Sequence, residues 1–304
     1  MNLSELYSDP KFPGSFKGSE RFYHEVKTLH PKVTRKEIQE FLKTQDTYTL
    51  HKRIQKPKQY RRTLTYAPRN LWQIDLLDMQ KYSKKNQNFR YICVIIDCFS
   101  KYIWIKALKN KTGASVVKAL ALLLMNERPK LLQADQGSEF FNKSFKRMLE
   151  AFGPKLYHSY SVHKASIVER AQRTLRASLG RLFTKQNNHV WIDQIDNLVT
   201  SYNNTYHRSI KMKPVDVKEE HFGKIRRLLF PPRKRGKPKF NVGNLVRIVS
   251  KRKRFQKEAE KGWTVEKFRI KEIVYSSPIT YLLEDLSAEP ILGTFSAEEL
   301  QHVT

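Results

Sequence analysis

Apolar residues recur along this chain in two rhythms, and the changes of rhythm mark its elements. In the middle of the chain, Leu71–Met79 and Tyr91–Asp97 are apolar runs rich in β-branched residues, and Tyr102–Leu108 alternates Tyr-Ile-Trp-Ile around lysine. These read as three strands, the third half-buried. Ala114–Asn126 is apolar at helical spacing, Lys130–Ala134 is a short buried strand ending at Asp135, and Asn142–Phe152 is a helix closed by Gly153-Pro154. A further strand, Leu156–Ser159, precedes helix Lys164–Phe183, whose Val168, Ala171, Leu175, Leu179 and Leu182 form one stripe, and then helix Trp191–Tyr206. This βββαβα-like order predicts an α/β fold: a mixed sheet covered by helices.

The flanks are different. Residues 1–20 carry Pro10, Pro13, Gly14 and Gly18 and are expected to be loose. Ser19–Leu29 and Thr34–Lys43 read as short helices separated by Pro31, with Thr34 as N-cap and Glu37 completing a capping box. Thr49–Asn70 is a basic, mostly irregular arm. Near the other end, residues 231–254 hold ten basic residues and no acidic one, and run into short β segments at Asn244–Val249, Thr264–Tyr275, Thr280–Leu286 and Ile291–Phe295. Gly, Pro, Ser or Asp punctuate them, as in a small all-β barrel of about five strands. The expected organisation is a helical module over 1–48, a basic arm over 49–70, the α/β core over 71–230, a basic linker over 231–240 and a barrel over 241–304.

Composition adds a partner. The 304 residues include 58 Lys+Arg against 29 Asp+Glu, a formal net charge of +29, with 39% hydrophobic residues to build cores. The excess is spread out: 15 basic against 7 acidic residues in 1–70, and 21 against 8 in 71–185. A single basic tail does not explain it; a long polyanion meeting several surfaces does, most simply nucleic acid. Cys93 and Cys98 are the only cysteines, so there is no disulfide framework. Nothing at the N-terminus has the build of a signal peptide. The longest apolar stretch, around Ala119–Met125, is far too short to span a bilayer. The chain reads as intracellular and soluble, without a membrane partner.

Three carboxylates stand out: Asp75 in LWQIDLLDM, Asp135 in LLQADQGSEF and Glu169 in HKASIVERAQRTLR. Phosphoryl transfer without a covalent nucleophile needs divalent ions on the scissile phosphate and in-line attacking and leaving oxygens. Mg²⁺ takes hard oxygen ligands and keeps several waters, so two or three carboxylates suffice. Zinc would want Cys or His ligands, which these three positions do not supply. Glu169 follows the stripe residue Val168, which places it at the rim of the core. Asp78 and Asp97 also lie in the sheet region. Asp97 ends a strand, where it could serve Ser100 or Lys101 structurally, and chemistry alone leaves it open as a ligand.

The strings LWQIDLLDM, YICVIIDCFSKYIWIKAL, ADQGSEF, KASIVERAQRTLR and YNNTYHRSIKMKP resemble the integrase core shared by retroviruses, long-terminal-repeat retrotransposons and Maverick/Polinton DNA transposons. The resemblance is greatest to the Maverick/Polinton type, and FNVGNLVRI, WTVEKFRI, TYLLEDL and GTFSAEEL extend it into the tail. It implies a ribonuclease-H-like integrase core with a mixed five-stranded sheet, preceded by a small helical module and followed by an SH3-like or chromo-like β-barrel. It implies a catalytic, metal-binding triad of Asp75, Asp135 and Glu169 with two Mg²⁺ or Mn²⁺ ions. The activity implied is 3′-end processing and strand transfer of element DNA into target DNA, by a homo-oligomer (dimer or tetramer) on double-stranded DNA. There are two departures. The stretch from Asp135 to Glu169 is slightly shorter than in retroviral members. Those members also bind zinc in their N-terminal module through two His and two Cys, whereas here His24 and His30 have no cysteine near them, so the module is expected to fold without zinc.

Arg173 and Arg176 lie four and seven residues beyond Glu169, on the same helix face. With Arg170 and Lys164 they are the expected contacts to the DNA end, since basic residues at these offsets do so in the family. Tyr202, Asn203 and Asn204 read as structural. The runs containing Arg233, Lys234 and Arg235, and Lys251, Arg252, Lys253 and Arg254, are candidate DNA contacts, nuclear-targeting signals, or both. Trp263, Phe268, Tyr275, Tyr281 and Phe295 read as barrel core rather than a cage for a cation. The function expected is that of a nuclear DNA integrase. A host-captured DNA-binding protein without catalysis and a plain ribonuclease-H-like nuclease are the alternatives.

Overall fold

The computed structural model describes residues 2–55, 57, 59, 62–134, 137–157, 165–233, 236–250 and 261–304. The expected sites Asp135, Lys164, Lys234, Arg235, Lys251, Arg252, Lys253 and Arg254 lie outside the described residues. The chain divides into two compact units, residues 62–232 and residues 1–61 with 233–304.

The first helices are α1 (Leu3–Ser8), α2 (Ser19–Leu29), α3 (Arg35–Thr44) and α4 (Asp46–Thr49). Thr34 caps α3 in a full capping box with Glu37, as the sequence predicts. Helix α1 corrects the expectation that residues 1–20 are loose. Asn2 caps it, and its Tyr7, 1% exposed, meets the Phe22 ring edge-on at 4.9 Å. Six residues make no stable helix alone; this contact supplies what local propensity lacks.

Residues 62–232 hold β1 (Leu71–Asp78), β2 (Tyr91–Asp97), β3 (Ile103–Leu108), α5 (Gly113–Asn126), β4 (Leu131–Ala134), α6 (Lys143–Phe152), β5 (Lys155–Tyr157), α7 (Ser166–Gln186), α8 (Ile195–Asn204) and α9 (Phe222–Leu229). The five strands form one mixed sheet in the order β3-β2-β1-β4-β5. β1 runs antiparallel to β2 and parallel to β4, with Gln73 opposite Gln133. Both faces are covered. Trp72 and Ile74 pack with Val116, Leu120, Phe145 and Leu149 of α5 and α6. Leu77, Ile92, Val94 and Ile96 pack with Val168, Ala171 and Leu175 of α7. Asn203 of α8 is structural, as expected: its amide bridges the backbone N–H and C=O of Ile103 at 2.9 and 3.0 Å.

The remaining strands, β6 (Leu245–Ile248), β7 (Phe268–Val274), β8 (Thr280–Glu284), β9 (Pro290–Ser296) and β10 (Leu300–His302), form a five-stranded antiparallel sheet in the order β10-β6-β7-β8-β9. Phe268 and Tyr281 are buried in its core and Phe295 packs against it, but Tyr275 is 73% exposed, because it stands just past the end of β7. Within the same compact unit, Arg247 of β6 is 1% exposed and donates to Asp46 at 2.6 Å, and the Trp263 indole donates to the Lys52 carbonyl at 2.7 Å. Among the described residues no helix is long and apolar enough to cross a membrane.

Candidate active site

The alternation of β1 decides where its acid stands. Trp72 and Ile74 face the α5–α6 core, and Leu77 faces the α7 core. Side chains alternate along a strand, so Asp75, between Gln73 and Leu77, stands on the α7 side. It is half-buried, and the Leu76 N–H donates to its Oδ1 at 2.8 Å. Its charge is felt by the buried Cys93 thiol, whose pKa is pushed up to about 12 by burial first and by Asp75 second.

Glu169 sits in the first turn of α7, exposed, beside the fully buried Val168. What holds that turn against β1 is Gln73, which is completely buried. Its Oε1 accepts from the Ile167 and Val168 N–H groups, both at 3.0 Å, and its Nε2 donates to Gln133 Oε1 at 2.8 Å. The two backbone donors fix the orientation of the amide, since only oxygen can accept from both. A side chain from the sheet thus satisfies free N–H groups at the start of the helix that bears Glu169. Gln133 belongs to β4 and precedes Asp135 by two residues, as Gln73 precedes Asp75. The repeated Gln-x-Asp in WQID and LQAD is the sequence signal for this bridge.

Asp97 belongs to the structure. It is 1% exposed. Its Oδ1 accepts from the Phe99 and Ser100 N–H groups and from the Ser100 hydroxyl, and its Oδ2 from the Arg69 N–H and the Trp72 indole. A carboxylate saturated by these donors pins the β2–β3 turn to β1 and has no oxygen to offer a metal. The expected pairing with Ser100 is present.

Arg170, Arg173 and Arg176 of α7 are exposed. At about 100° per residue, Arg173 and Arg176 return to the Glu169 face, whereas Arg170 points about 100° away; it lines a separate cavity. Arg233 is part-buried and donates to the Ser277 carbonyl at 3.4 Å. Cys93 and Cys98 are both buried in the core, far along the sequence from His24 and His30.

Asp75 and Glu169 offer only hard carboxylate oxygens, a donor set that suits Mg²⁺ or Mn²⁺ and not zinc. Among the described residues no three His, Cys, Asp or Glu side chains gather into a metal-holding group, and Asp135 is outside them.

Residues 65–164 match the integrase core domain family. A transposon-derived protein of Caenorhabditis elegans is 36% identical over 190 residues, covering 62% of this chain and 65% of the relative. The Pro-Pol polyprotein of simian foamy virus type 1 is 27% identical over 131 residues, 42% of this chain but 11% of the polyprotein. The chain therefore spans about two thirds of the worm relative and about a tenth of the viral one. In fold it is similar to a chain of the cryo-EM structure of the simian T-cell lymphotropic virus intasome with PP2A regulatory subunit B56 gamma. The TM-score is 0.66 at 16% identity, covering 93% of this chain and 96% of that one. Residues 65–164 are thus similar to integrase core domains, and the mixed five-stranded sheet covered by helices shares its fold with a chain of a viral intasome.

Proposed function

We propose that this chain is the integrase of a mobile genetic element, nearest in type to the Maverick/Polinton transposons. Its reactions are 3′-end processing and strand transfer of element DNA into target DNA. Asp75, Asp135 and Glu169 would hold two Mg²⁺ or Mn²⁺ ions, which when bound polarise the scissile phosphate and favour a nucleophilic oxygen at neutral pH. The observation that carries the reading is the Gln73 bridge, which fixes the start of the Glu169 helix to the strand bearing Asp75. β1 supplies a rigid acid within a covered sheet. α7 supplies one at its first turn, where the helix dipole steadies negative charge. Positioning of this kind is most of what an in-line phosphoryl transfer asks of a protein.

The same reading assigns the partners. Arg173 and Arg176 share the Glu169 face and meet phosphates of the element end, and Lys164 and Arg170 are proposed as further DNA contacts. The segments holding Arg233–Arg235 and Lys251–Arg254 meet the DNA backbone and direct the protein to the nucleus. The C-terminal sheet acts as an SH3-like or chromo-like DNA-binding barrel over 241–304, and the helical module over 1–48 works without zinc. The core over 71–230 acts in a dimer or tetramer, because two element ends must be inserted together.

The test is a single-turnover reaction of the full chain with Mn²⁺ and a blunt duplex carrying the element terminus. Joined product is expected. Cut but unjoined DNA would make the chain a nuclease, and bound but unchanged DNA would make it a binding protein; either result contradicts the proposal.

A further inference from the structure

We propose that a cavity on the far side of α7 from the Glu169 face is a binding site for a phosphate-bearing ligand, separate from the acidic site. The cavity, of about 680 Å³, lies between α7, the C-terminal end of α8 and the loop that follows it. Three cations line it, Lys101, Arg170 and Arg208, and none of its lining residues is acidic. Hydroxyls are plentiful in its wall, among them Ser166, Thr174 and Tyr202.

Lys101 is the most informative of these. It sits in the β2–β3 turn with φ of +65°, a left-handed conformation that a lysine seldom adopts, and it is 7% exposed. Its amine donates to the Cys98 carbonyl at 2.5 Å; burial pushes its pKa down, partly offset by the Cys98 and Asp97 charges, and Asp97 stands beyond ion-pair distance from it. Burying an ammonium with one carbonyl partner is costly, and a bound anion would offset that cost. Arg170 and Arg208 likewise have no acidic partner among the described residues.

His207, also in the wall, supports the same polarity. Its pKa is pushed down to about 4, by burial first and by the Lys101 charge second. The Ser209 N–H and hydroxyl lie 3.4 and 3.0 Å from its Nδ1. A backbone N–H can only donate, so Nδ1 accepts and the neutral ring carries its proton on Nε2. The cavity is thus lined by an ammonium, two guanidinium forks, an imidazole N–H and several hydroxyls. That array has more donors than one carboxylate can accept and suits a phosphate group, whose oxygens take forked guanidinium bonds. The phosphate could belong to a DNA backbone or to a free polyphosphate, and the test separates the two.

The experiment is calorimetric titration of the full chain, in metal-free buffer at fixed ionic strength, with sodium tripolyphosphate and with a short duplex. Variants are Arg208→Gln and Arg170→Gln, both at exposed positions, and Lys101→Gln. Arg181→Gln removes the same charge outside the cavity and serves as the control. The wild type is expected to bind tripolyphosphate, each cavity variant to bind about tenfold more weakly, and the control to match the wild type. His207, followed by NMR, should titrate at higher pH once the anion is bound, with Lys101, Arg170, Arg208, Tyr202 and Tyr206 the other ionisable groups around the cavity. If the duplex displaces tripolyphosphate and feels the same variants, the ligand is the DNA backbone. If only tripolyphosphate feels them, it is a free phosphate compound. Equal binding by all variants, an unmoved His207, or binding of a polyglutamate peptide in place of tripolyphosphate would overturn the proposal.

Discussion

Two five-stranded sheets in this protein are built on different terms. In the sheet β3-β2-β1-β4-β5, every residue of β2 is buried and helices cover both faces. In the sheet β10-β6-β7-β8-β9, β7 alternates: Phe268 and Ile270 are buried, while Arg269 and Lys271 are exposed. The first sheet includes parallel pairs, whose crossover helices wrap it, and the second is antiparallel throughout and leaves a face for water. A doubly covered sheet admits a polar side chain only when that chain is fully bonded or functional. Its polar exceptions are informative: Asp97 is saturated with hydrogen bonds, Gln73 makes three, both hold the architecture, and Asp75 stands half-buried on the α7 side of β1. On the one-sided sheet a charge is ordinary.

This contrast can be broken by mutation, and the largest effect is expected at the acids. Asp75→Asn, Asp135→Asn and Glu169→Gln should each abolish strand transfer in the single-turnover assay while DNA binding in a filter or anisotropy assay stays near wild type, because each removes a ligand charge and little volume. Substantial joining by any one of them would remove that residue from the site. Asp97→Ala should act on the fold instead. It strands the indole and backbone donors that converge on Asp97, at a cost of at least about 3 kcal/mol in urea unfolding. An Asp97→Ala protein of normal stability that had lost only chemistry would reverse the assignment of Asp75 and Asp97.

Gln73→Leu sharpens the comparison further. It keeps the volume and removes the acceptor for Ile167 and Val168, which should cost roughly 2–4 kcal/mol in stability. Displacement of the acid-bearing turn should slow joining about a hundredfold. Gln73→Glu should recover much of the rate, since a carboxylate still accepts from both amides and the Gln133 amide can turn to donate to it. Equal rates for the Leu and Glu variants would mean the bridge does not position the helix.

Most of the core was legible in the sequence, because its elements are long and their periods pure: Tyr91–Asp97 is a strand over the residues that its apolar run marks. Boundaries on the flanks were less so. Helix α1 owes its existence to Tyr7 packing on Phe22, a tertiary contact that no local pattern displays. Strand β10 has three residues, too few to show alternation. The joining of residues 1–61 with 233–304 runs through partners such as Asp46 and Arg247, remote in sequence. The candidate acids Asp75, Asp135 and Glu169 were named from the motifs that carry the family resemblance. The Gln73 bridge was not legible, because it depends on the α7 amides and Gln133 that the fold brings to it.

Smaller effects are expected at the surface. Arg173→Glu or Arg176→Glu should weaken binding of the element end and lower joining with it, whereas Arg181→Glu, about 120° around the helix from Glu169, should cost much less. Equal damage from Arg181→Glu would make general charge the better account. The smallest change should come from the one-sided sheet. Lys271 lies on the exposed face of β7, 3.7 Å from Glu284, and Lys271→Ala should change stability by less than about 1 kcal/mol. A larger loss would show that this face is covered in the working protein.

Direct measurement of Mn²⁺ binding, by electron paramagnetic resonance on the full chain and its variants, tests the central claim most closely. The account predicts two ions per chain in the wild type, bound most tightly with DNA present, and loss of that binding in Asp75→Asn, Asp135→Asn and Glu169→Gln but not in Arg181→Glu. Mn²⁺ binding that survives unchanged in all three acid variants, or a wild type that binds none even with DNA, would contradict it.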